Sequence, residues 1–70
     1  MQEEQEFFVD DEVFLVTHTE RGTLKLKVVR AASNRGRWYL KLSEGGDKLY
    51  ENGAWVSQKK VTNAKRGANR

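Results

Sequence analysis

Seventy residues with no cysteine, one histidine, thirteen lysines and arginines and ten acids bound a single small domain. That composition excludes a disulfide framework and a thiolate metal site, argues against any ordinary zinc centre, and has no apolar run near the roughly 18 residues of a membrane span. The net charge of +3 hides a segregation, because residues 1–12 hold six acids and no base while residues 13–70 hold 13 bases and four acids.

Residues 1–6 are polar and acidic, lack the apolar core of a secretory signal and show no β pattern, so they read as a disordered leader. Phe7, Phe8 and Val9 follow, and at least one is expected to pack on the edge of a core. Asp10 and Asp11 punctuate the chain before a first strand over Val13–Thr17. The turn Thr19–Gly22 ends in glycine. A second strand, Thr23–Ala31, alternates cleanly: Leu24, Leu26 and Val28 inward, Lys25 and Lys27 outward.

After a polar turn over Ala32–Gly36, Arg37–Leu42 forms the central strand. Trp38, Leu40 and Leu42 share one face and Tyr39 and Lys41 the other. Gly45-Gly46 stops it, and Asp47–Tyr50 reads as a short fourth strand. Asn52-Gly53 is a strong turn signal, and Ala54-Trp55-Val56 starts the next strand. Ser57–Lys60 suits one 3₁₀ turn, and Val61 re-enters the sheet as a short fifth strand. Residues 63–70 offer no apolar side chain beyond alanine and read as a flexible basic tail with Lys65, Arg66 and Arg70.

Short strands joined by tight glycine turns leave several bare edges when flat, and curling into a partly open barrel satisfies most of them. The expected core is Val13, Leu15, Leu24, Leu26, Val28, Trp38 or Tyr39, Leu40, Leu42, Val56 and Val61.

Three stretches carry a resemblance. Phe8-Val-Asp-Asp-Glu-Val-Phe-Leu-Val16 resembles the opening of a small SH3-like barrel, and Arg37-Trp-Tyr-Leu-Lys-Leu42 followed by Gly45-Gly46 resembles its central strand. Asn52-Gly-Ala-Trp-Val-Ser-Gln-Lys-Lys-Val61 is similar to its last turn. Tudor-like and chromo-barrel-like domains, and SH3-like modules of DNA-handling proteins, share the arrangement. Over about residues 8–62 it implies an all-β, five-stranded SH3-like partly open barrel with a short 3₁₀ turn before the last strand. The barrel would occupy residues 7–62. The Val13–Thr17 stretch lacks the tyrosines of proline-peptide readers, which argues against a proline-rich ligand. The superfold fixes architecture better than activity.

Two binding functions follow from the residues. The first is nucleic-acid binding, with DNA the favoured ligand: Lys25, Lys27, Arg35, Arg37 and Lys41 on phosphates, further phosphate contacts from the basic C-terminal residues Lys59, Lys60, Lys65, Arg66 and Arg70, and Tyr39, Trp38 or Trp55 stacking on bases. The second, implied by the Tudor-like resemblance, is recognition of a basic or methylated peptide by Tyr39, Tyr50 and Trp55 with Asp47 or Glu51 as counter-charge. Three rings converging beside an acid would favour the peptide, and a flat basic face with one exposed ring would favour nucleic acid. His18 has no nucleophile or carboxylate at a recognised spacing, and no phosphate loop, zinc signature or paired-carboxylate pattern exists, so an enzyme, a metal or a cofactor is not expected. A third reading is a scaffold or assembly domain of a larger protein, pairing through an exposed edge strand. An intracellular, nuclear or nucleoid-associated setting and weak self-association through that edge complete the expectations. The acidic leader, by its charge, is a candidate to lie across the basic face.

Overall fold

The computed structural model describes residues 2–65. Six strands form one antiparallel sheet: β1 (Glu12–Val16), β2 (Thr23–Asn34), β3 (Arg37–Gly45), β4 (Lys48–Leu49), β5 (Val56–Ser57) and β6 (Val61–Lys65). The hydrogen-bonded order is β4-β3-β2-β1-β6, with β5 on β3. The sheet stays open, because among the described residues no ladder joins β4 and β6 at the two ends of this path. The 3₁₀ turn expected over Ser57–Lys60 is found at Gln58–Lys60, and the count is six strands and not five because the segments on its two sides pair with different strands, β5 with β3 and β6 with β1. Asn63–Lys65, expected as tail, continue β6, while Arg66 and Arg70 lie outside the described residues.

The alternation of β3 resolves as read. Leu40 and Leu42 are fully buried, Tyr39 and Lys41 face outward, and Val13, Leu15, Leu26, Val28, Val56 and Val61 complete most of the core. Leu24 is only partly buried and packs against this cluster. Trp38 shares the core-side parity yet remains half-buried, because it sits at the end of the strand. Phe7, 5% exposed, is the member of the Phe7–Val9 run that joins the core.

The β2–β3 hairpin closes more tightly than its composition suggests. Asn34 pairs with Arg37, leaving a two-residue loop in which Arg35 (φ 54°) and Gly36 (φ 78°) are both left-handed. Two positive φ values are the type I′ condition, whose twist matches that of the strands. Farther along, Val28 faces Leu42 while Arg30 faces Lys41, so Val29 is the extra residue of a β-bulge.

Residues 2–6, expected from sequence as a leader without fixed structure, lie hydrogen-bonded against the rest of the chain. The Glu3 N–H donates to the Gly36 carbonyl (2.7 Å), and the Glu3 carboxylate accepts from the Trp38 N–H (3.0 Å). Gln58, 1% exposed, fastens the same segment: its carbonyl oxygen accepts from the Glu6 N–H (3.0 Å) and its amide donates to the Glu4 carbonyl (2.8 Å). A buried amide must find such partners, and an extended segment supplies them. The Glu3 carboxyl is held below its ordinary range, first by the hydrogen bond from Trp38 and further by Lys59 at 3.6 Å. Asp11, fully buried, makes the turn into β1: its carboxylate accepts from the Phe8 N–H (2.9 Å) and its carbonyl from the Val28 N–H (2.9 Å).

Candidate functional site

The outward face of β2 and β3 carries most of the residues that the sequence singles out. Beyond the bulge its cross-strand rows are Arg30 with Lys41, Ala32 with Tyr39, and Asn34 with Arg37. Side chains directly opposite one another stand about 5 Å apart, so these rows form one continuous surface. Arg35 projects from the tight turn at its end. Tyr39 also faces Ser57 of β5, and this short pairing brings Trp55 across the face. Trp55 is 47% exposed, and the Lys41 ammonium lies 4.9 Å from its ring centroid, a cation–π contact.

Two concavities meet at these rings. One, of about 590 Å³, is lined by Tyr39, Tyr50, Trp55 and Glu51, with His18 and Lys60 at its sides. The other, of about 330 Å³, is lined by Ala32, Asn34, Tyr39 and Trp55. The rim of the larger is set by a turn with two successive non-glycine left-handed residues, Glu51 (φ 51°) and Asn52 (φ 57°), before Gly53. Conformations of this kind cost of order 1–3 kcal/mol each and hold only where neighbours fix them. Here the turn presents Tyr50 and Glu51 to the concavity.

The five cations proposed from sequence as one patch are divided. Lys25 and Asn34 lie nine residues apart on β2, a separation on the order of 30 Å. At the near end Lys25 pairs with Glu12 (3.1 Å) and Lys27 with Asp10 (3.8 Å). At the far end Arg30, Arg35, Arg37 and Lys41, together with Lys60, form no ion pair among the described residues. Arg30 escapes sequence reading because the bulge that turns it outward leaves no mark in the residue pattern. Lys60, grouped from sequence with the basic tail, instead ends the 3₁₀ turn Gln58–Lys60 and borders the concavity.

Of the residues grouped for a peptide, Tyr39, Tyr50, Trp55 and Glu51 line the same concavity, whereas Asp47 sits in the β3–β4 turn and does not. Trp38 is on the opposite side of β3, in a cleft it shares with residues 2–5. The acidic leader meets the basic body at Lys59 through Glu3, while Asp10 and Glu12 beyond it hold Lys27 and Lys25, and none of these three acids lines the concavities at Tyr39 and Trp55. Among the described residues no three acidic, histidine or cysteine side chains gather as around a metal ion. Glu44 joins two turns elsewhere, bonded to Arg21 and lying 3.8 Å from Lys48. The bond from Arg21 chiefly holds its carboxyl low.

Compared with protein-family models, curated proteins and solved structures, the chain matches none.

Proposed function

We propose that this chain is a non-catalytic nucleic-acid-binding domain of SH3-like architecture, with its site on the outward face around Tyr39 and Trp55. One observation carries the reading: cations that form no ion pair among the described residues gather around the exposed Trp55 ring and Tyr39. Arg30, Arg37, Lys41 and Lys60 would meet phosphates, with Arg35 at the hairpin tip, while Tyr39 and Trp55 stack on bases. Lys25 and Lys27 become secondary, because a phosphate must first displace Glu12 and Asp10. A nuclear or nucleoid-associated setting goes with this reading. The architecture rests on the six short antiparallel strands and the 3₁₀ turn that precedes the last of them.

The test is fluorescence anisotropy with labelled DNA at about 50 and 200 mM salt, where phosphate contacts weaken steeply as salt rises. Binding that falls with salt and is lost on R30E/K41E supports the site. Binding indifferent to both, or absent at the lower salt, overturns it.

A second reading has its own observation. Tyr39, Tyr50 and Trp55 line one concavity beside Glu51, as a reader of a methylated or basic peptide requires. Lys41 and Lys60 beside that concavity oppose a cationic ligand, so this reading ranks below the first. Titration with trimethyl-lysine peptides at low salt checks it.

A further inference from the structure

Resting on the nucleic-acid reading, we infer that the ligand is single-stranded and that two neighbouring bases leave their own stack to lodge on either side of the Tyr39–Trp55 wall. The argument begins with shape. A duplex offers a ridge of phosphates and the edges of stacked bases, and a flat basic surface suffices to receive it. The site is instead hollow, with concavities of about 590 and 330 Å³ that share Tyr39 and Trp55 as common walls. Concavities of this size that stay open to solvent have room for one ring laid against an aromatic wall, and of the two ends of β2 the Tyr39–Trp55 end is the one that supplies aromatic walls. Only an unpaired base can present its ring faces to such walls.

Charge makes the same choice of occupant. Lys41 stands against the Trp55 ring, Arg30 lies directly across the strands from Lys41, and Lys60 borders the larger hollow. These cations flank the rings where a sugar–phosphate chain must pass if its bases point inward. The polar groups of the hollows differ in kind. Asn34 in the smaller one donates and accepts, whereas the Glu51 carboxylate in the larger one only accepts. The larger hollow thus suits a base with an amino group on its edge.

The full chain is titrated with three labelled ligands of about 12 nucleotides: a mixed-sequence single strand, the same sequence as a duplex, and an abasic strand with the same phosphates. The intact single strand is expected to bind at least roughly thirtyfold more tightly than either of the others, the lower bound for two stacked bases. It should quench tryptophan fluorescence, and the abasic strand should not. In W55A, a substitution at an exposed ring, affinity for the single strand falls to the abasic level. Y39L does the same through the other wall, so the result does not hang on one variant.

Equal affinity for intact and abasic strands overturns the insertion of bases while leaving phosphate binding in place. Tighter binding of the duplex overturns it too. Failure of all three to bind overturns the underlying nucleic-acid reading. Saturable quenching by a trimethyl-lysine peptide without binding of any strand assigns the hollow to a peptide.

Discussion

The two ends of β2 carry the same kind of side chain in opposite circumstances. At Lys25 and Lys27 each ammonium has a carboxylate from residues 10–12 within ion-pair distance. At Arg30, after the bulge, the cation faces another cation, Lys41, and neither has an ion-pair partner among the described residues. Exposed pairs of the first kind contribute little to stability, about 0–1 kcal/mol, but they occupy charges that a ligand would need. Like charges set opposite each other are unfavourable, and their tolerance at the second end is what a polyanion site would require. Counting lysines and arginines on a face therefore overstates a binding surface; what matters is which of them the chain has already neutralised.

The most drastic way to break this comparison is to remove the floor beneath the aromatic end. Leu40→Ala, at a fully buried position, should lower stability by about 2–5 kcal/mol in urea unfolding. A loss below about 1 kcal/mol would mean that this end of the core carries little load. Next comes the turn that holds the acids in place. Asp11→Ala strips the Phe8 N–H of its acceptor and should cost about 1–3 kcal/mol in the same assay. The milder pair D10N/E12Q unfastens Lys25 and Lys27 without touching the Asp11 turn. It should steepen the salt dependence of DNA binding toward that of a protein with up to two more phosphate contacts.

The two ends can also be set directly against each other. Lys41→Ala is expected to reduce the slope of log affinity against log salt by about 1. Lys27→Ala should change it much less. Equal slopes would erase the distinction drawn here. The smallest effect concerns residues 2–6. The Glu3 carboxyl titrates below its ordinary 4.5 in the folded protein, so its contribution to stability is present above that pH and lost as pH falls through the lower folded value. An acid titration followed by intrinsic fluorescence should show the segment beside Trp38 loosening below about pH 4.5, with Glu3→Gln removing that step. An unchanged profile in Glu3→Gln would show that the contact with Trp38 does not titrate.

Much of this fold was legible from two-residue periodicity. The inward set Leu26, Val28, Leu40 and Leu42 and the outward set Lys25, Lys27, Tyr39 and Lys41 lie as their alternation demands. The turns at Gly36 and Asn52-Gly53 were marked by residues that accept left-handed backbone. Three features had no local signature. Gln58 is buried because its partners are backbone groups more than fifty residues away. Residues 2–6 dock through hydrogen bonds and not through apolar spacing, so a hydrophobic pattern is silent about them. The bulge at Val29 is invisible because valine fits a regular strand equally well. For the site, residue types suggested both an aromatic group and a basic group. Only the third dimension separates cations held by acids from those that are not.

The bulge has a consequence for how this chain tolerates insertion and deletion. Val28 faces Leu42 and Arg30 faces Lys41, so Val29 is one residue more than the partner strand supplies. Removing it would leave Val28, Arg30 and Ala31 opposite Leu42, Lys41 and Leu40 as they are now, turn the ladder regular and keep each of these side chains on its present face. What would go is the local kink and added twist of the bulged strand. Val29 is therefore the position at which β2 is expected to accept a chain one residue shorter, its inward and outward sets both intact.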